Sequence, residues 1–192
     1  MDTGRLEAFT DGVLAVVITI MVLELKPPHM PTWHALQHVW PVLLSYVLSF
    51  VYIGIYWNNH HHMMRATSRI SGRVLWANLH LLFWLSLIPF TTAWMSENRF
   101  ALVPVVVYGA VLLLAALAWP LLQREIVACN GGRGSAIAAA LGGDVKGKLS
   151  IGLYVAAIVL AFVGPWLSCV LYAVVAAMWF VPDRRFEKVV TR

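Results

Sequence analysis

The chain has 192 residues, 60% of them hydrophobic and only 12% charged. Soluble domains average about 25% charged residues, so this composition excludes an ordinary water-soluble globule. The net charge of +5 sits almost entirely between and beyond the apolar blocks, so it does not call for a nucleic-acid partner.

Crossing a hydrocarbon core as helix takes about 20 apolar residues. Six blocks approach that length, at about 8–25, 39–60, 74–95, 101–122, 149–164 and 166–182. None shows the strict alternation of a membrane barrel strand. The expected fold is all-α: one six-helix transmembrane domain over residues 1–192, without a soluble catalytic domain. With six spans, both termini share one side with the 61–73 and 123–148 connections. Arg5, Arg65, Arg69, Arg73, Arg124, Arg133, Lys146, Lys148, Arg184, Arg185, Lys188 and Arg192 lie there, and only Lys26 and Arg99 lie opposite. Basic loops stay cytoplasmic, which predicts cytoplasmic N and C termini in a multi-pass membrane protein.

The first block opens with Arg5-Leu6-Glu7-Ala8-Phe9-Thr10-Asp11-Gly12-Val13. Ionisable groups at the mouth of a span are costly and mark a functional site or a fixed partner. No small-residue cleavage pattern follows, so a cleaved signal peptide is not expected. On a helix, Val16, Thr19 and Leu23 form one stripe, and Asp11 lies about 140° from Val16. Two readings of this stripe stand. It faces an axis between copies while Asp11 faces neighbouring helices, or it packs into lipid and core while Thr19 bonds the Ala15 carbonyl.

Pro27-Pro28 ends the first span and Pro31 keeps the link from continuing it. Trp33, Trp40, Trp94 and Trp166 fall near span ends, where indole favours the interface. The second block closes on Tyr56-Trp57-Asn58-Asn59-His60-His61-His62. Adjacent helical residues fan out by about 100°, so these histidines cannot share one metal, and zinc-type spacing is missing. His60 or His61 is instead expected to reach Asp11 or Arg5. In the third block, Asn78, His80, Pro89 and Thr91 are polar or helix-bending residues expected to pack on partner helices. Glu24 and Glu97 stand near the opposite ends, solvated or concentrating cations.

The 129–147 segment is rich in glycine and alanine and forms the one substantial cytoplasmic loop. Its Gly142-Gly143-Asp144-Val145-Lys146-Gly147-Lys148 run imitates a phosphate loop but lacks the magnesium-binding hydroxyl and a preceding strand. Gly164-Pro165 separates the last two blocks, which predicts a tight helical hairpin. Cys129 and Cys169 form neither a disulfide framework nor a metal set. No spacing suggests a nucleophile with its base, so catalysis is not expected.

Arg5-x-x-x-Phe9-Thr10-Asp11-Gly12-Val13, followed by Ala15-Val16-Val17-Ile18-Thr19-Ile20, resembles the first-helix signature of the endosomal and lysosomal potassium channel family, transmembrane protein 175, in its prokaryotic members. Tyr56-Trp57 with Asn59-His60-His61, and Asn78 with Pro89-Phe90, add weaker matches. The resemblance implies a potassium-preferring cation channel in the prokaryotic cell membrane. It further implies a homotetramer whose pore is lined by the first helix and needs no cofactor. Carried over by position, Val16 and Leu23 fall on apolar layers of the pore. Thr19 falls on a hydroxyl ring near which potassium would pass. Arg5, Phe9, Thr10 and Asp11, with His60 or His61, fall on the network holding the pore helix. Two residues depart from the pattern: Thr10 replaces a serine and keeps the hydroxyl, and Val16 is smaller than the usual constriction residue. The competing reading is a proton-coupled secondary transporter using Asp11 and His60, His61 and His62.

Overall fold

The computed structural model describes residues 3–180, and among these it contains helices and no strand. Eight α-helices follow in order: α1 (Thr3–Leu23), α2 (Trp33–Arg65), α3 (Gly72–Ser86), α4 (Ile88–Glu97), α5 (Leu102–Cys129), α6 (Ala136–Leu141), α7 (Val145–Leu160) and α8 (Pro165–Phe180). A single 3-10 turn, Gly132–Gly134, precedes α6. Positions 181 and 182 of the last expected span lie outside the described residues.

Four segments are long and apolar enough to cross a membrane: α1, α2, α5, and α3 with α4 taken together. The second is longer than its apolar block because Thr32 caps it early, its hydroxyl accepting from Ala35 N at 3.2 Å. At 1.5 Å per residue, the 33 residues of α2 reach about 50 Å, well beyond a hydrocarbon core of about 30 Å. The third span is interrupted at Leu87. Pro89 has no N–H to give the Leu85 carbonyl, and the Leu87 N–H turns back to Trp84 O at 3.2 Å. Thus α4 restarts with Pro89 in its first turn, where proline is tolerated.

The last two expected spans are shorter helices of 16 residues each, about 24 Å long. Residues 161–164 join them, and α7 and α8 pack on each other. Ser168 Oγ donates to the Ala157 carbonyl at 2.7 Å, fastening the pair. The 129–147 loop is also built. Gly131 and Gly132 take φ of 103° and 71°, conformations that a Cβ disfavours. Asn130 then clamps the 67–70 turn: its Oδ1 accepts from Ser68 N at 3.1 Å and Arg69 N at 2.9 Å, and its Nδ2 donates to Arg69 O at 3.0 Å.

Helix α5 is central, packing on α3, α4, α7 and α8. Val105, Tyr108, Leu112, Ala115, Leu122 and Ile126 on it are completely buried. The hydroxyls of Tyr52, Tyr108 and Tyr172 in this core are bonded, as burial demands. Tyr52 Oη donates to Tyr172 O at 2.6 Å, Tyr172 Oη donates to Val105 O at 3.1 Å, and Tyr108 meets Ser49 at 3.0 Å. Gly109 is required here, because a Cβ on it would overlap the Tyr172 phenol. Helix α1 packs on α2, α3 and α4, and this placement shapes the candidate site.

Candidate pore helix and its polar anchor

The two sides of α1 have opposite surroundings. Leu6, Thr10, Leu14, Val17 and Met21 recur every three or four residues and are buried against the bundle. On the other side Phe9 is 52% exposed, Val16 55% and Leu23 78%, with Thr19 and Ile20 also exposed between them. The outer faces of α2, α5 and α8 are apolar and exposed as well, and that of α1 also borders a groove. The groove, between α1 and the α3–α4 pair, encloses about 1040 Å³ and is lined by Phe9, Gly12, Val16, Ile20, Phe90 and Trp94. Glu24 and Glu97 also line it. Thr19 is the hydroxyl of the open face. Its Oγ1 donates to the Val16 carbonyl at 2.9 Å, one residue later than the Ala15 carbonyl named in the lipid-and-core reading.

At its N-terminal half α1 is tied to α2 and α3 by side chains. Trp57 Nε1 donates to Asp11 Oδ1 at 3.0 Å, and one turn away His61 Nδ1 bonds Glu7 Oε1 at 2.7 Å. Asp11 and Glu7 are four residues apart, as are Trp57 and His61, so two antiparallel helices meet through matched pairs one turn apart. Trp57 and His61 stack on each other with centroids 6.1 Å apart. Deeper in, Thr10 is 1% exposed, His60 2% and Asn78 0%. Asn78 Nδ2 donates to Thr10 Oγ1 at 2.9 Å, and its Oδ1 faces His60 Nε2 at 3.0 Å. An amide oxygen only accepts, so the His60 proton lies on Nε2. The other ring nitrogen, Nδ1, is buried without a partner among the described residues.

This geometry corrects the expected pairing. Neither His60 nor His61 bonds Asp11 or Arg5: His60 goes to Asn78, His61 to Glu7, and Trp57 takes Asp11. Depth along the bundle was right to within one turn, but direction around the helix decides the partner. Phe9 stands on the open face and Arg5 is exposed, so neither is inside the bonded cluster, whereas Thr10 and Asp11 are. His62 packs edge-on against His61 with centroids 5.8 Å apart. Glu7 and Trp57 have roles the sequence reading missed, and Asn78, expected only to pack on partner helices, bonds both α1 and α2. The i, i+4 spacing of Glu7 with Asp11, matched by Trp57 with His61, was the signal that could have found the first two. Among the described residues no three His, Cys, Asp or Glu side chains gather as a metal site.

The family model described as endosomal/lysosomal potassium channel TMEM175 matches residues 5–89. A potassium channel of Chryseobacterium sp. (strain P1-3) is 47% identical over 98% of this chain and 97% of its own length. Another, from Chamaesiphon minutus, is 31% identical over 87% of this chain and 88% of its own. The crystal structure of a lysosomal potassium-selective channel TMEM175 homolog from Chamaesiphon minutus superposes with a TM-score of 0.82 at 29% identity. It covers 94% of this chain and 97% of that one. These relatives are ion channels rather than enzymes, and nothing in them supports the transporter reading. The chain belongs to the endosomal/lysosomal potassium channel family, TMEM175.

Proposed function

We propose that this chain is the subunit of a homotetrameric, potassium-preferring cation channel whose pathway runs along the open face of α1. The observation that carries this reading is the two-faced burial of α1, with Val16, Thr19 and Leu23 on its bare side. Symmetric association of four copies about one axis would bring these faces together. The names of the two bacterial relatives, potassium channel in both, supply the ion.

In this arrangement Val16 and Leu23 form apolar layers. Such rings gate by dewetting when narrow and conduct when slightly wider. Thr19 lies between them. Because its proton is given to Val16 O, its oxygen lone pairs are left for a passing cation. The Thr10, Asp11, Glu7, Trp57, His60, His61 and Asn78 cluster holds α1 at a fixed rotation, so the same face meets the axis in every copy. Six crossings, with α7 and α8 as the short final pair, would place both termini on the basic, cytoplasmic side of the cell membrane.

The test is planar-bilayer recording of purified protein under opposed potassium and sodium gradients. Unitary currents should reverse near the potassium potential, and Thr19→Ala should shift that reversal towards zero. Currents with unchanged selectivity in Thr19→Ala remove the threonine from the pathway. Flux that saturates with a co-substrate and shows no unitary events would contradict the channel itself.

A further inference from the structure

The overhanging start of α2 carries two histidines one turn apart. Thr32 caps the helix there, its hydroxyl accepting from Ala35 N, so His34 and His38 fall on regular helix ahead of the apolar block at 39–60. Residues four apart share a helix face. Leu36, about 200° round from His34, lines a groove with Leu25, Ala93 and Glu97, which leaves the two histidines on the open side. Both are exposed, and neither ring has a hydrogen bond or ion pair to a described residue. The rings meet each other instead, with centres 4.8 Å apart and planes at 77°. No Asp, Glu, Lys or Arg occurs from Pro27 to Met64, so no carboxylate on this segment competes for the imidazoles.

We infer that His34 and His38 form a two-histidine binding site for a late transition-metal dication, Cu2+, Ni2+ or Zn2+. Helical zinc sites use the same spacing, two histidines at i and i+4 on one face. A ring nitrogen bound to zinc stands about 2.0–2.1 Å from it, and about 1.1 Å from its own ring centre. Two rings that subtend about 90–110° at one ion thus have centres about 4.5–5.3 Å apart. The 4.8 Å found here is inside that window. The backbone therefore holds the rings at chelating distance and leaves only side-chain rotation to the ion. The donors select the metal, because imidazole suits copper, nickel and zinc, whereas magnesium and calcium want carboxylate or carbonyl oxygen. Water fills the remaining positions, since among the described residues no third His, Cys, Asp or Glu joins the pair. His60 and His61, at the other end of α2, are adjacent and fan apart, and their rings are bonded to Asn78 and Glu7. A bound ion ties the first two turns of α2 together and holds the overhang helical. The inference does not rest on the pore reading, because neither histidine belongs to α1.

The test is titration of Cu2+ into the full-length protein, purified without a histidine tag. Cys129→Ser and Cys169→Ser provide the background, so that no thiol reduces the metal. Electron paramagnetic resonance should show one ion per chain, with nitrogen hyperfine coupling from two imidazoles. Both histidines are exposed, so His34→Gln and His38→Gln should fold, as circular dichroism will show. Each should weaken binding at least about tenfold, because one of two ligands is lost, and should leave a one-imidazole signal. His29→Gln and His62→Gln should change neither affinity nor signal. Cu2+ should bind more tightly than Ni2+, and excess Mg2+ should displace neither. A two-imidazole signal that survives His34→Gln or His38→Gln places the ion elsewhere and overturns the site. A one-imidazole signal in the parent, or binding that Mg2+ displaces, means an adventitious ion only and overturns it as well. So does the absence of any bound-copper signal.

Discussion

The two halves of α1 are held in different ways. Its N-terminal half is bonded: Glu7, Thr10 and Asp11 each find a side-chain partner on α2 or α3. Its C-terminal half is held by packing alone on Leu14, Val17 and Met21, and its hydroxyl, Thr19, bonds only its own backbone. Hydrogen bonds are directional and fix rotation about the helix axis, whereas apolar packing tolerates small displacements. The difference teaches that one end sets which face is open while the other end presents it.

The comparison can be broken most severely at Asn78. Asn78→Leu strands both His60 and Thr10 in a buried site, at about 1–3 kcal/mol for each unsatisfied group. Thermal unfolding in detergent should show a drop of several degrees and poor recovery of oligomer. A variant as stable as the parent would mean that the buried cluster does not hold α1. Gly109→Ala, outside α1, should cost about 1–3 kcal/mol by displacing Tyr172. Where the protein still folds, its ion preference should be unchanged, which separates general stability from the pathway.

Trp57→Phe keeps the packing and removes the Asp11 donor. It should cost about 1 kcal/mol with little change in potassium preference, measured by melting and by reversal potential. The Glu7–His61 pair is partly exposed, at 25% and 36%, so solvent screens it. Glu7→Gln should cost only about 0.5 kcal/mol in the same melting assay. The smallest effect on folding belongs to Thr19→Ser, which keeps the hydroxyl on an exposed site. Its stability should stay within about 0.5 kcal/mol and its selectivity should match the parent, in contrast to Thr19→Ala.

Much of the fold was legible because its signals are local. The apolar run after Asp11 and the prolines at 27 and 28 delimit α1, and Gly164-Pro165 announces the turn between α7 and α8. The polar extensions of α2 carry no apolar signal and depend on a cap at Thr32, so the helix outran its block. Pro89 was visible as a bend, but the break at Leu87 depends on which carbonyl loses its partner. The anchor was half legible. Thr10 and Asp11 stood out as polar residues at the mouth of a span, yet their partners depend on the angle at which α2 and α3 approach. That angle is set by packing between distant segments, as is the Asn130 clamp on the 67–70 turn.

The central claim, that the open face of α1 is the ion pathway, is tested most directly by thiol modification during recording. Cys129→Ser and Cys169→Ser provide the background, and cysteine is placed at Thr19 on the open face or at Val17 on the buried one. A charged, water-soluble thiol reagent should alter the unitary current of the Thr19→Cys channel within its exposure and leave Val17→Cys untouched. Modification of Val17→Cys with no effect at Thr19→Cys, in channels that still conduct, would contradict the account.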